Sequence, residues 1–72
     1  MKVYYDKDVD AAYIKLSTAK PMGVVEVSEG VNIDMTEGGE IVGIEILDAS
    51  TKFPLKSLFA FELDKKLLQK AV

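Results

Sequence analysis

The run Ile41-Val42-Gly43-Ile44-Glu45-Ile46-Leu47 constrains the fold most, because it is the most apolar and most β-branched stretch of the chain. Such residues favour a pleated strand. Alternation places Val42, Ile44 and Ile46 on one face and Ile41, Gly43, Glu45 and Leu47 on the other. A strand with apolar residues on both faces belongs at the centre of a sheet or beneath a partner. Gly43 in its middle predicts a bend or a close approach by another backbone. A chain of 72 residues has room for one core. The expectation is therefore a single domain, 1–72, built around this strand.

The preceding segments fit the same plan. Val3-Tyr4-Tyr5 is a short β-rich run that ends at the acidic turn Asp6-Lys7-Asp8-Val9-Asp10. Ala12, Ile14 and Leu16 then alternate with Ala11, Tyr13 and Lys15, and Ser17 to Pro21 breaks the pattern. Val25 and Val27 alternate with Glu26 and Ser28; Val31, Ile33 and Met35 alternate with Asn32, Asp34 and Thr36. Between these two runs, Ser28-Glu29-Gly30 reads as a hairpin connection with Gly30 in the left-handed region. Glu37-Gly38-Gly39-Glu40 is a second hairpin signal, and Gly38 or Gly39 should take positive φ.

After Asp48 the period changes. Leu55, Leu58 and Phe59 fall at i, i+3 and i+4, and Pro54 suits the first turn of a helix. Asp64 can cap a second short helix over 65–71, with Leu63 and Leu68 spaced as a hydrophobic staple. The alternative is a sixth strand over 58–62. The predicted architecture is α+β: an antiparallel meander of four to five strands over residues 2–47, covered by C-terminal helix over about 54–71.

Composition narrows the chemistry. The chain has no His, no Cys and no Trp, and all nine basic residues are Lys. Disulfides, thiolate or imidazole metal sites and His-based triads are thereby excluded. No cofactor or metal is expected. The net charge is −3 and the pI is near 4.8, without the clustered Arg and Lys of a nucleic-acid surface. No apolar run approaches the roughly 7–15 residues of a signal peptide or the ~20 of a membrane helix, so a cytoplasmic protein is expected.

Three groups of side chains invite a functional reading beside a structural one. Asp6, Asp8 and Asp10 alternate like the opening of a calcium loop, but the positions where that loop needs Gly and Glu hold Ala11 and Ser17. A solvated acidic turn is the better reading. Glu45 and Asp48 form the minimum pair for carboxylate chemistry. The structural alternative places Glu45 on the less covered face and lets Asp48 or Ser50 bond free amides at the next turn. Tyr4, Tyr5 and Tyr13 could supply an interface patch or a cross-strand pair.

The segments Tyr5-Asp6, Asp10-Ala11-Ala12-Tyr13-Ile14-Lys15-Leu16-Ser17, Gly30-Val31 with Asp34, and Ile41 through Leu47-Asp48-Ala49-Ser50 resemble, in that order, the short prokaryotic family catalogued as domain of unknown function 2283. The resemblance covers roughly residues 3–50, and Leu-Asp-Ala-Ser is its most specific part. It implies no established activity. Some members look like one half of a two-gene pair beside a small toxin-like protein, which implies an antitoxin-like role toward a partner encoded nearby.

The resulting expectation is a small homodimeric interaction module, not an enzyme. The candidate interface is the second face of the central strand, with Tyr13, Ile41, Gly43, Glu45 and Leu47. Gly30, Gly38, Gly39, Asp48 and Asp64 are assigned to turns and caps. The rival class is a small-molecule-binding or catalytic domain that uses Glu45 and Asp48.

Overall fold

A computed structural model describes residues 1–62 and 64. Five strands form one antiparallel sheet: β1 (Lys2–Asp6), β2 (Ala11–Lys15), β3 (Gly23–Ser28), β4 (Val31–Met35) and β5 (Ile41–Leu47). β1 corresponds to the β-rich run Val3-Tyr4-Tyr5 and the other four to the later strand-like runs of the sequence. Their spatial order is β1-β2-β5-β4-β3. The sheet is thus not the simple meander expected. A β1–β2 hairpin and a β3–β4–β5 meander meet through the pairing of β2 with β5. The segment after β2 does not turn back to pair with it. Instead, the amides of Leu16 and Ser17 both donate to the Val42 carbonyl, at 2.8 and 3.0 Å, and the chain then leaves for the far edge. The most apolar strand takes the centre, as its two-sided pattern requires.

Register sorts the side chains into two unlike faces. Val3, Ile14, Ile44, Ile33 and Val25 lie opposite one another and form an apolar row across all five strands. Tyr5, Ala12, Ile46 and Val31 form the adjoining row on that face. The other face carries Tyr4, Tyr13, Glu45, Asn32 and Glu26 in one row, and Lys2, Lys15, Gly43, Asp34 and Val24 in the next.

The segment after the sheet departs from expectation. Ala49–Lys52 forms a one-turn helix, α1, that begins directly after Asp48. Pro54 ends it by holding the preceding residue, Phe53, in extended backbone (φ −160°, ψ 161°). Leu55–Phe59 is then a 3-10 helix rather than an α-helix. At three residues per turn, Leu55 and Leu58 eclipse on one side, and both are half-buried. Phe59, which would join them in an α-helix, is rotated away and is 89% exposed. Residues 60–62 are neither helix nor a sixth strand. The helix expected over 65–71, with Asp64 as its cap, lies outside the described residues.

The turn assignments fare better. Gly30 has φ 72° and Gly39 has φ 91°, whereas Gly38 does not need a positive φ. Gly30 is also closely packed, since a Cβ built there would lie 3.0 Å from Lys52 Nζ and 3.4 Å from Leu47 Cβ. Gly30→Val should therefore lower stability by at least about 1–2 kcal/mol, the cost of a side chain in the left-handed region. Chemical denaturation reads this directly, and an unchanged midpoint would contradict the assigned turn.

Candidate functional site

The polar face of the sheet is a hydrogen-bonded network centred on Gly43. Register places Lys15 and Asp34 on either side of Gly43. Tyr13, one pair along, leans diagonally across the glycine, and its hydroxyl donates to Asp34 Oδ2 at 2.9 Å. A Cβ at residue 43 would fall 2.2 Å from that hydroxyl oxygen. The close approach predicted at Gly43 is thus made by the Tyr13 phenol and by the neighbouring backbone, whose Ile14 carbonyl would lie 3.0 Å from that Cβ. Asn32 Nδ2 donates to Glu45 Oε1 at 3.1 Å in the neighbouring row. Tyr4 and Tyr13 form the cross-strand aromatic pair, with ring centroids 6.5 Å apart, and Lys2 Nζ lies 5.2 Å from the Tyr4 centroid.

Of the candidate interface residues, Tyr13, Gly43 and Glu45 come together at the middle of this face. Ile41 and Leu47 sit at the ends of β5 and are exposed. The centre of the face is therefore polar and internally bonded, and the broad apolar surface belongs to the opposite side. Glu45 and Asp48 are not combined into a carboxylate pair. Glu45 bonds Asn32, while Asp48 holds the left-handed entry to α1 (φ 51°) with no side-chain cap hydrogen bond.

The acid that does anchor α1 is Asp10, a role sequence reasoning missed. It closes the β1–β2 turn in the left-handed region (φ 51°) and reaches across forty positions of sequence. The Ser50 hydroxyl donates to Asp10 Oδ2 at 2.6 Å, and the Ser50 amide donates to Oδ1 at 3.0 Å. The Tyr5 hydroxyl donates to Oδ1 at 2.7 Å, and the Ala49 amide donates to the Asp10 carbonyl at 2.9 Å. One carboxylate thereby ties β1, the first turn and the start of α1 together. The alternating acids share no common task, because Asp6 Oδ1 instead accepts the Asp8 amide within the turn, at 2.9 Å. The only local signal for Asp10 was a residue type that tolerates left-handed backbone.

These bonds set the protonation behaviour. The Ser50 hydroxyl, followed by the Tyr5 hydroxyl, holds the Asp10 carboxyl below its ordinary value of 3.8. The bond to Asp34, followed by desolvation, raises the Tyr13 phenol above 10.0, and the bond to Asp10 does the same for Tyr5. For Asp10 the folded state favours the charged form. Its contribution is full above pH 3.8 and is lost as pH falls through the lowered value. For the two tyrosines it favours the neutral form, with the contribution full below pH 10.0 and lost as pH rises beyond it. Thermal melts against pH should show both limbs. Asp10→Asn should flatten the acid limb and Tyr13→Phe the alkaline one; limbs that both variants leave unchanged would contradict these assignments.

Residues 2–50 match the family described as protein of unknown function, DUF2283. The chain belongs to this family. The matched span contains all five strands and both hydrogen-bond networks, and it ends at Ser50, the residue that Asp10 holds. No curated protein and no solved structure matched the chain. Among the described residues, no helix is long and apolar enough to cross a membrane.

Proposed function

We propose that this DUF2283 chain is a small self-associating protein-interaction module whose sheet is completed by a second copy. Burial carries the reading. Among the described residues, the buried apolar positions are Ala12, Val42 and Ala49, so no buried side chain is larger than valine. Val24, Val25, Val27 and Phe59 are exposed, and Phe61 is 74% exposed. A sheet gains its stability by covering an apolar face, and the described part of this chain covers little of its own. Domains below about 70–80 residues without disulfides or metals commonly draw the missing burial from oligomerisation. The polar face supports an interaction role over catalysis, since its central carboxylates, Asp34 and Glu45, are engaged by Tyr13 and Asn32.

Mass action provides the test. The melting temperature should rise with protein concentration, because dilution removes the stabilising copy. A melting temperature constant over a hundredfold dilution would contradict the proposal.

A second partner class follows from charge. Asp6 and Asp8 in the first turn and Glu37 and Glu40 in the last are all exposed, at opposite ends of β5. Their disposition suits a basic protein, consistent with the antitoxin-like role that the family resemblance implies. Titration with the basic product of a neighbouring gene tests this, and binding that is indifferent to Asp8→Lys and Glu37→Lys would oppose it.

A further inference from the structure

We infer that the surface joining two copies is the free edge of β3, and that the β3 strands pair antiparallel across a two-fold axis at Val25. The inference rests on the self-association reading above and specifies its geometry.

The two edges of the sheet are unlike. β1 begins at Lys2 and ends at Asp6, and the Lys2 ammonium sits over Tyr4. Charged ends of this kind discourage strand addition. β3, Gly-Val-Val-Glu-Val-Ser, has no lysine, and all six of its residues are exposed. Val24, Val25 and Val27 are 64%, 48% and 55% exposed, respectively. The protecting features of β3, Glu26 and the bulge between Glu26 and Ser28, lie on the far side of Val25. Before them the apolar edge is a template for another strand, because its outward amides and carbonyls still need partners.

The occupant is the second copy that the shortfall of buried apolar surface calls for, and register fixes how it sits. When two identical strands pair antiparallel, each register places either a residue or a bond on the axis. Registers centred on a bond set the apolar face of one copy beside the polar face of the other, because side chains alternate with period two. Registers centred on a residue keep like faces together. Centring on Glu26 would oppose two carboxylates, which is unfavourable for directly opposite residues. Centring on Val24 would bring Pro21, which has no amide hydrogen, into the ladder. Centring on Val25 pairs residues 24–26, which precede the bulge between Glu26 and Ser28, sets Glu26 opposite Val24 of the second copy and brings the two Val25 side chains together. It also joins the row Val3-Ile14-Ile44-Ile33-Val25 to its own image, giving one apolar row across two five-stranded sheets.

The chain has no cysteine, so single-cysteine cross-linking reads this register directly. Directly opposite strand residues have Cα atoms about 4.5–5.5 Å apart, within disulfide range. Under mild oxidation at micromolar concentration, Val25→Cys should give a covalent dimer, while Glu26→Cys and Val3→Cys should not. Val25→Lys should weaken association at least tenfold, as measured by sedimentation. If the wild-type chain is monomeric, the self-association reading falls and this inference falls with it. If the wild type associates but Val25→Cys fails to cross-link and Val25→Lys remains associated, only the edge assignment is overturned. Cross-linking at Glu26→Cys in place of Val25→Cys overturns the register. Val25→Cys adducts with other proteins in a lysate, without a homodimer in pure protein, overturn the second copy as occupant.

Discussion

Gly43→Val should destabilise the sheet by about 1–3 kcal/mol through overpacking, with roughly 1 kcal/mol more for the lost Tyr13–Asp34 hydrogen bond. The reason lies in the geometry. The space above Gly43 holds the Tyr13 hydroxyl, and the Ile14 carbonyl lies 3.0 Å from the site of a Cβ. The ring can swing away, but the neighbouring backbone cannot. For a domain of this size, each kcal/mol corresponds to roughly 4–8 °C in melting temperature. Gly43→Ala should follow the same course more mildly. Combining Gly43→Ala with Tyr13→Ala should cost less than the sum of the two, because the second change removes the obstructing phenol. Strict additivity would contradict the packing described.

Asp10→Ala should lower the melting temperature more than removal of any other carboxylate among the described residues. It would leave the Tyr5 hydroxyl and the Ser50 amide and hydroxyl without their acceptor. It would also place alanine at φ 51°, a region that disfavours a Cβ without a compensating polar side chain. Asp10→Asn, which tolerates that backbone and keeps one acceptor oxygen, should recover part of the loss, and Ser50→Ala should cost less than Asp10→Ala. A larger fall for Asp48→Ala would contradict this assignment, because it would make Asp48 the anchor of α1.

The contrast between Asp48 and Asp10 shows where sequence reasoning stops. Alternation located β2 to β5, since a half-buried strand writes its period into the residues themselves, while β1 was legible from its β-rich composition. It also placed β5 centrally, and the glycines of both hairpins marked turns that need positive φ. The strand order was not legible. Nothing local in residues 16–22 says whether the chain turns back onto β2 or crosses to the far edge. That choice depends on β5 pairing with β2 from thirty positions away. The Asp10–Ser50 bond is long-range in the same sense. For the C-terminal segment, the spacing of Leu55, Leu58 and Phe59 fits the first two residues of either helix type, and only the position of the third separates them. At Gly43 the sequence indicated a close approach, but the residue filling the space was an ordinary tyrosine on the next strand.

Equilibrium sedimentation of the full chain tests the central claim most directly. A self-associating module should show a weight-average mass that climbs from the 7.9 kDa of one chain toward twice that value across the micromolar range. A mass fixed at 7.9 kDa up to millimolar concentration would contradict it.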